Sequence, residues 1–432
     1  MERLTLHRAP AGRPVEHTVL ETSDSLWHGE ADVVVAGCGS GGAPAAIEAA
    51  RGGADVFVFE KADWLGGCMR RSGGGLLGCD TLVQRRLGVE DPGPEQLLAY
   101  LSACAGPSGD LELLRVFAEH CGPDVDWVIT PRDQGGLGGE PLGQWGFSTP
   151  EDRGMTAVVR PGLNVGGPID EKRAYWHELG FPDDMERRRV HWFKPNPDDA
   201  DPGDRHYARY KAGEFGAGFG STGGGGTGLW KPFEDELRCL PNVRIQTKTS
   251  LAGLVTDAAG AVVGVAMEPA GVGEAPGLER GRLPGHSAGA LQLVRALRGV
   301  IVATGSFVHD RSLYERATGR SWRRAGLTNG SPYNDDQADG AGVRACLAVG
   351  VSPAFMEEGN SGGLRIDGRA RALRADGRPV LGLYITSRAV GGLFSESRYP
   401  QCGSFISSCL CFGRIAGREA AARECRRAIP CG

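Results

Sequence analysis

The sequence predicts an α/β fold, and three observations carry the prediction. An apolar run from Asp32 to Ala36 breaks into the turn Gly37-Cys38-Gly39-Ser40-Gly41-Gly42. A helical stretch with Ala43, Ala46, Ile47 and Ala50 on one face follows, and a second apolar run, Val56 to Phe59, ends in Glu60. Short continuous apolar runs of this kind read as buried parallel strands. Glycine makes up 69 of 432 residues, clustered and without a three-residue period, which calls for backbone loops that something must approach closely.

Each part of residues 31–61 has a physical job. Gly37 permits the tight turn, Gly39 lets a pyrophosphate near the backbone, and Gly42 lets helix and strand pack closely. The helix N-terminus offers N–H groups and a positive dipole to phosphate, with Ser40 and Gly41 at its mouth. Pro44 sits where a missing N–H is tolerated, and Gly52-Gly53 stops the helix. Glu60, 23 residues after Gly37 and followed by Lys61, is placed to accept ribose hydroxyls. An acid there would repel a 2′-phosphate, so the unit reads as dinucleotide-binding but not NADP-binding.

Composition narrows the remainder. Lys+Arg 48 against Asp+Glu 53 gives a net charge of −5 with no basic block, so neither nucleic acid nor an anionic membrane is an expected partner. No run of about 18 apolar residues exists to span a membrane. The opening MERLTLHRAPAGRPVEH lacks a secretory apolar region, so a cytoplasmic location is expected. The 12 cysteines form no CxxC pair; reduced buried thiols and no metal site are expected.

A second glycine cluster, WLGGCMRRSGGGLLG at 64–78, distinguishes the cofactor. Gly66, Gly67, Ser72, Gly73 and Gly74 match the GG-N/T-x-x-x-S/A-GG stretch that wraps the flavin in the fumarate reductase/succinate dehydrogenase flavoprotein superfamily. The chain resembles that superfamily, most closely its 3-ketosteroid 1-dehydrogenase-like branch. The resemblance continues in order: NVRIQTKTSLAGLVTDAAGAVVGVAM (242–267), read as two strands with Ser250 and Leu251 against the adenine; GVIVATGSF (299–307), with Ala303, Thr304 and Gly305 beside the cofactor; and DDQADGAGVRACLAVG (335–350), with Asp339 as the cap of a helix. The GG…DG-x-P…GLY run at 362–384 and the closing YPQCGSFISSCLCFGRIAGRE at 399–419 complete it. In the family the closing helix points its N-terminus, here Ser404, Phe405 and Ile406, at the flavin. The resemblance implies FAD as cofactor in a Rossmann-like FAD-binding domain of the GR2 type. Binding is expected to be non-covalent. Cys68 stands where succinate dehydrogenases attach flavin through His, so a thiolate link is the alternative.

The implied domain plan is discontinuous. Residues 1–28 read as an N-terminal extension; 29–130, 217–305 and 362–432 as three parts of the FAD-binding domain; 306–361 as a substrate cap, reduced because Gly362 follows Gly305 by only 57 positions. Residues 131–216, rich in Pro, Gly and Asp and studded with aromatics such as Trp145, Trp176 and Tyr207, read as an insertion that helps roof the active site. GFGSTG (218–223) also satisfies GxGxxG, but no strand precedes it, so no separate pyridine-nucleotide domain is expected and an external electron acceptor or donor is implied.

The chemistry expected is hydride transfer at flavin N5, making or removing a C=C bond beside the carbonyl of a small, cyclic substrate. Tyr399-Pro400-Gln401-Cys402-Gly403-Ser404 resembles the Tyr-Pro-Gly-x-Gly-x segment of ketosteroid dehydrogenases, in which the tyrosine hydroxyl and second glycine N–H hold the ketone oxygen. Tyr399 and Gly403 are the matching donors, and two donors aimed at a developing enolate stabilise it. Acid-oxidising members carry a similar segment, so two alternatives stay open: an unsaturated di- or tricarboxylate enzyme of the fumarate reductase type, and a non-catalytic flavin- or ligand-binding protein. Thr386-Ser387-Arg388 replaces the family's A-G-E or A-G-N run and makes Arg388 a candidate flavin or substrate contact. For the proton-transferring group the candidates are Tyr333, with Tyr314, Arg323 and Arg324, and the rivals Arg205, His206 and Tyr207.

Overall fold

A computed structural model describes residues 3–21, 26–72, 74–86, 88, 90–137, 190–193, 225–270, 291–322, 338–395, 400 and 403–426. Two compact units emerge: Met1–Gly67, Leu237–Gly391 and Phe412–Gly432 form the first, Cys68–Glu236 and Gly392–Cys411 the second. In chain order the elements are β1 (Leu4–Arg8), β2 (Glu16–Leu20), β3 (Gly29–Ala36), α1 (Gly42–Arg51), β4 (Val56–Phe59), α2 (Gly67–Arg70), β5 (Gly75–Leu77), α3 (Leu82–Arg86), α4 (Pro94–Ala105) and α5 (Leu111–Ile129). They continue with β6 (Val190–Trp192), α6 (Gly225–Cys239), β7 (Val243–Gln246), β8 (Thr249–Thr256), β9 (Val262–Pro269) and β10 (Gln292–Val302). The last are α7 (Arg311–Thr318), α8 (Ala341–Ala348), β11 (Pro353–Ala354), β12 (Gly363–Leu364), β13 (Arg371–Leu373), β14 (Pro379–Ile385) and α9 (Ser404–Ala422).

The first unit is organised by a 10-stranded mixed sheet. Its parallel part runs β14-β10-β3-β4-β7. Val33, Val34, Val35 and Ala36 of β3 are completely buried, as a central strand covered on both faces requires. Strand β10 has β3 on one side, while on the other it pairs antiparallel with β9 at Gln292–Arg295 and parallel with β14 at Val300–Val302. That change of partner joins the parallel core to the antiparallel run β2-β1-β8-β9.

Helix α1 packs through its small residues. Alanines 43, 45, 46, 49 and 50 are all buried, and α9 approaches so closely that a Cβ on Gly417 would lie 2.3 Å from the Ala45 carbonyl oxygen. The contact is sealed by Glu48, whose carboxylate receives Arg414 Nε at 2.7 Å and Arg418 Nε at 2.9 Å. Burial works against this carboxylate, but the hydrogen bonds and charges of Arg418 and Arg414 outweigh it and hold Glu48 below the usual glutamate pKa.

Two sequence expectations change here. The N-terminal extension is part of the sheet: β1 and β2 form a hairpin in register Leu4↔Leu20, and β1 pairs with β8 from Thr5↔Thr256 onward. Leu4 and Leu6 enter a cluster with Val255, Val263, Ala266 and Leu293, so burial of one face of a five-residue strand ties it down. Residues 242–267 hold three strands, not two. The chain turns at Thr247-Lys248, with Lys248 at φ +55°, so that β7 can join the parallel core and β8 can start the antiparallel run.

The second unit contains α4, α5, α6 and the antiparallel pair β5–β6, in register Gly75↔Trp192. Asp110 caps α5 by accepting from the N–H groups of Glu112 and Leu113. Edge-to-face rings, Phe117 on Phe394 and Phe394 on Phe405, fill its interior. Residues 68–130, read above within the first part of an FAD-binding domain, cluster in this unit, and α7 and α8, from the stretch read as a cap, cluster in the first. Of the insertion read at 131–216, residues 131–137 and 190–193 are described. Among the described residues no helix is long and apolar enough to cross a membrane.

Candidate cofactor site

In the first unit the turn after β3 is held from every side. Gly37 N–H donates to the Phe59 carbonyl at 2.8 Å, Gly66 N–H to Cys38 at 2.9 Å, and Ala43 N–H to Gly39 at 3.0 Å. Three of its glycines are demanded by the protein's own packing. A Cβ on Gly37, where φ is +94°, would sit 2.6 Å from the Ala303 carbonyl oxygen; on Gly42, 1.8 Å from that of Gly37; on Gly41, 2.7 Å from Thr386 Oγ1. Gly39 is different: the nearest atoms to a Cβ there are 3.8 Å away, an ordinary contact. No described residue stands in the way of a side chain at position 39, so the bare backbone there is open to a group from outside. The N-terminus of α1 beside it favours an anion.

Glu60 closes the turn. Its carboxylate accepts from Cys38 N–H at 2.8 Å and Ala62 N–H at 3.0 Å, one to each oxygen, and the Lys61 N–H adds a third backbone donor. Burial raises its pKa, opposed by the backbone donors and by the Lys61 charge. The Glu60 carbonyl receives Thr249 N–H at 2.9 Å, which brings Ser250 and Leu251 at the start of β8 to the same end of the sheet. Lys61 Nζ lies 2.6 Å from Asp339 Oδ2. Asp339 is one place earlier than expected: the cap of α8 is Gly340, at φ +73°, while Asp339 Oδ1 accepts Ala341 N–H at 3.0 Å from the preceding position.

Ala303, Thr304 and Gly305 follow β10 directly, and Ala303 N–H donates to Ala36 at 2.8 Å, bringing the two strand ends together. The Thr304 hydroxyl is turned into the protein, 2.0 Å from where a Cβ on Gly342 would stand; it is buried without a hydrogen-bond partner among the described residues. Gly305 N–H donates to Ser387 Oγ at 3.1 Å. Ser387 and Thr386 are site residues that sequence reasoning passed over in favour of the half-buried Arg388. Ser387 holds φ +67°, a left-handed conformation that costs a non-glycine residue about 1 kcal/mol. The signal was present: the family pattern A-G-E has glycine at that place.

The second unit holds the remaining expected residues. Cys68 sits half-buried in α2. Ser72 Oγ donates to the Met69 carbonyl at 2.7 Å and accepts Gly74 N–H at 3.0 Å, so its hydroxyl shapes its own loop. Gly403, at φ +85°, is pressed against β5: a Cβ would lie 2.8 Å from Gly75 O and from Leu77 N. Ser407 Oγ then receives Leu77 N–H at 2.8 Å, which fixes the first turns of α9, with Ser404, Phe405 and Ile406, on that strand. Tyr100, also unforeseen, donates its hydroxyl to the Pro400 carbonyl and so anchors the chain next to position 399. Gly73, Tyr333, Tyr399, Arg205 and His206 lie outside the described residues.

A parallel core with a glycine turn at a helix N-terminus and an acid at the end of the next strand is the geometry of a dinucleotide-binding unit. A family model described as FAD binding domain matches residues 32–359, and the chain belongs to that family. The acrylate reductase flavoprotein subunit of Shewanella woodyi is 25% identical over 359 residues, covering 82% of this chain and 54% of that protein. Digoxin reductase of Eggerthella lenta is 36% identical over 112 residues, 26% of this chain and 20% of the relative. The chain thus spans about half, or less, of the length of these curated relatives. Among solved structures, 3-ketosteroid-Δ4-(5α)-dehydrogenase from Rhodococcus jostii RHA1, in complex with 4-androstene-3,17-dione, shares the fold with a TM-score of 0.65 and 21% identity over 96% of this chain and 100% of that one. A flavocytochrome c3 fumarate reductase in its open conformation does so at 0.60 and 14%, over 92% and 79%.

Proposed function

We propose that this protein is an FAD-dependent oxidoreductase acting on a CH–CH bond beside the ketone of a small, cyclic substrate. The observation that carries the cofactor is the open face of Gly39 beside Glu60, in a chain of the FAD binding domain family. Bound FAD supplies a hydride acceptor or donor to the substrate carbon. The chain's residues do the rest. The turn at 37–42 receives the pyrophosphate; Glu60 takes the ribose; Ser250 and Leu251 flank the adenine; Ser72 and Gly74 shape the loop for the ring. Tyr399 and Gly403 N–H hold the substrate oxygen while the α-proton leaves, with Tyr100 positioning the Tyr-Pro segment through Pro400. Phenol keeps its proton at neutral pH and can donate throughout.

Relatives of the ketone class support this reading: 3-oxosteroid 1-dehydrogenase of Mycobacterium tuberculosis is 38% identical over 96 residues. A carboxylate substrate is the second reading, favoured by the acrylate reductase match, which extends over 82% of the chain. Non-covalent FAD, an external electron partner and a cytoplasmic setting complete the proposal. A link through Cys68 is its alternative, and acid precipitation separates the two: all yellow colour should leave the protein. The deciding experiment is anaerobic photoreduction followed by reoxidation with cyclic enones and with unsaturated acids. Reoxidation by enones, with kcat reduced about 100- to 1,000-fold in Tyr399→Phe, is the expected result. Reoxidation by unsaturated acids alone would transfer the protein to the second reading; none by any compound would leave a flavin-binding protein.

A further inference from the structure

The second unit contains a group of donors that the cofactor site does not use. His120 and Asp124 lie four residues apart on α5, which puts them on one face of the helix, and α9 brings Cys411 to that face. One ligand atom from each, an imidazole nitrogen, a carboxylate oxygen and a thiol sulfur, lies within 4.8 Å of the others. Asp124 is 1% exposed and Cys411 is fully buried, while His120 is half-buried.

The elements that present these groups are rigid. Gly122, between the two α5 ligands, is packed so that a Cβ would come 2.0 Å from the Cys79 carbonyl oxygen. On α9, Ser407, one turn before Cys411, accepts the Leu77 N–H at 2.8 Å. Imidazole, carboxylate and thiolate together are a donor set for borderline divalent ions, zinc first among them. Around tetrahedral zinc the ligand atoms stand roughly 3.3–3.8 Å apart, so side-chain rotation has about 1 Å to close.

We propose that His120, Asp124 and Cys411 form a site for one zinc-type divalent ion, with solvent as the fourth ligand on the His120 side. Binding breaks the Cys411 S–H bond, releases that proton to water and forms a metal–sulfur bond; nothing is oxidised or reduced. The ion ties α5 to α9 within the second unit. No CxxC pattern announces the site, because its ligands come from two helices far apart in sequence.

The test uses the full-length, FAD-loaded, reduced protein, stripped with a chelator and titrated with cobalt(II) and then zinc. Expected are about one metal ion per chain, and intense d–d absorption of tetrahedral cobalt in the red, beyond the oxidised flavin bands. Zinc should abolish that absorption. His120→Gln, at a half-exposed position and least apt to disturb folding, should reduce bound metal to below about a tenth of an equivalent, as should Cys411→Ser. Cys239→Ser, at an exposed thiol, should leave it unchanged. Flavin content and circular dichroism confirm that each variant is folded. Failure to bind cobalt, octahedral spectra, or full binding by either ligand variant would overturn the proposal, without bearing on the FAD site.

Discussion

The glycine turn at 37–42 and the glycine at 403 answer the same demand in different ways. At both, a side chain would strike main chain: Gly42 against Gly37 O at 1.8 Å, Gly403 against Gly75 O at 2.8 Å. For Gly42 the obstructing atom lies five residues away; Gly37 and Gly41 meet Ala303 and Thr386, far along the chain, but share the same short motif. At 403 the obstruction belongs to β5, more than 300 residues earlier, and appears in the sequence as a single glycine. Close contact is legible when the glycines that allow it cluster in one short segment, and hidden when a single glycine meets a distant strand.

Four substitutions test that comparison. The largest effect is expected from Gly42→Ala, since α1 and the turn cannot separate without losing the hydrogen bonds between them; about 3 kcal/mol or more of stability and nearly all FAD uptake should be lost, by thermal unfolding and flavin content. Gly403→Ala combines about 1 kcal/mol of left-handed strain with a clash worth roughly 1–3 kcal/mol. Its loss should appear as faster proteolysis or hydrogen exchange around 75–77 and 403–407, with the turn at 37–42 unaffected. Gly39→Ala should separate packing from binding: under about 1 kcal/mol of apoprotein stability, but at least about tenfold weaker FAD binding by titration. Equal loss of stability in Gly39→Ala and Gly42→Ala would show that the open face of Gly39 is not kept for a ligand.

The last effect is on stability alone: Glu48→Gln should cost about 1–2 kcal/mol at neutral pH and leave FAD binding unchanged. Because the folded-state pKa of Glu48 lies below its unfolded value, its contribution is fully present above about pH 5 and is lost as the pH falls through the folded value. The variant and the parent should therefore converge in stability in acid, as chemical denaturation at several pH values would report.

Much of the cofactor site was legible because its constraints run along the chain. Strand, turn, helix, strand and acid at 32–60 are one continuous unit, and each residue's role follows from its neighbours. The long closing helix was legible as well, through its family motif. The β1–β2 hairpin was not, because five-residue strands carry too little alternation to stand out, and only pairing with β8 reveals which face is buried. The third strand within 242–267 was hidden because β7 and β8 are separated by just two residues, and their division reflects different pairing partners. The one-place shift of the α8 cap from Asp339 to Gly340 follows from φ +73°, which the Asp339–Lys61 ion pair accompanies and no local pattern specifies.

By itself the sequence determined that a β-α-β unit would form around a phosphate-accepting turn with an acid at its far end, because apolar runs, small helix residues and glycine act over a few residues. Only the tertiary structure decided which glycines serve the fold and which one leaves room for a ligand. It also decided that Ser387 accepts a strained conformation to reach Gly305, and that His120, Asp124 and Cys411 converge. Those outcomes depend on distances between segments far apart in the chain, which are set by the packing of sheets and helices rather than by residue order.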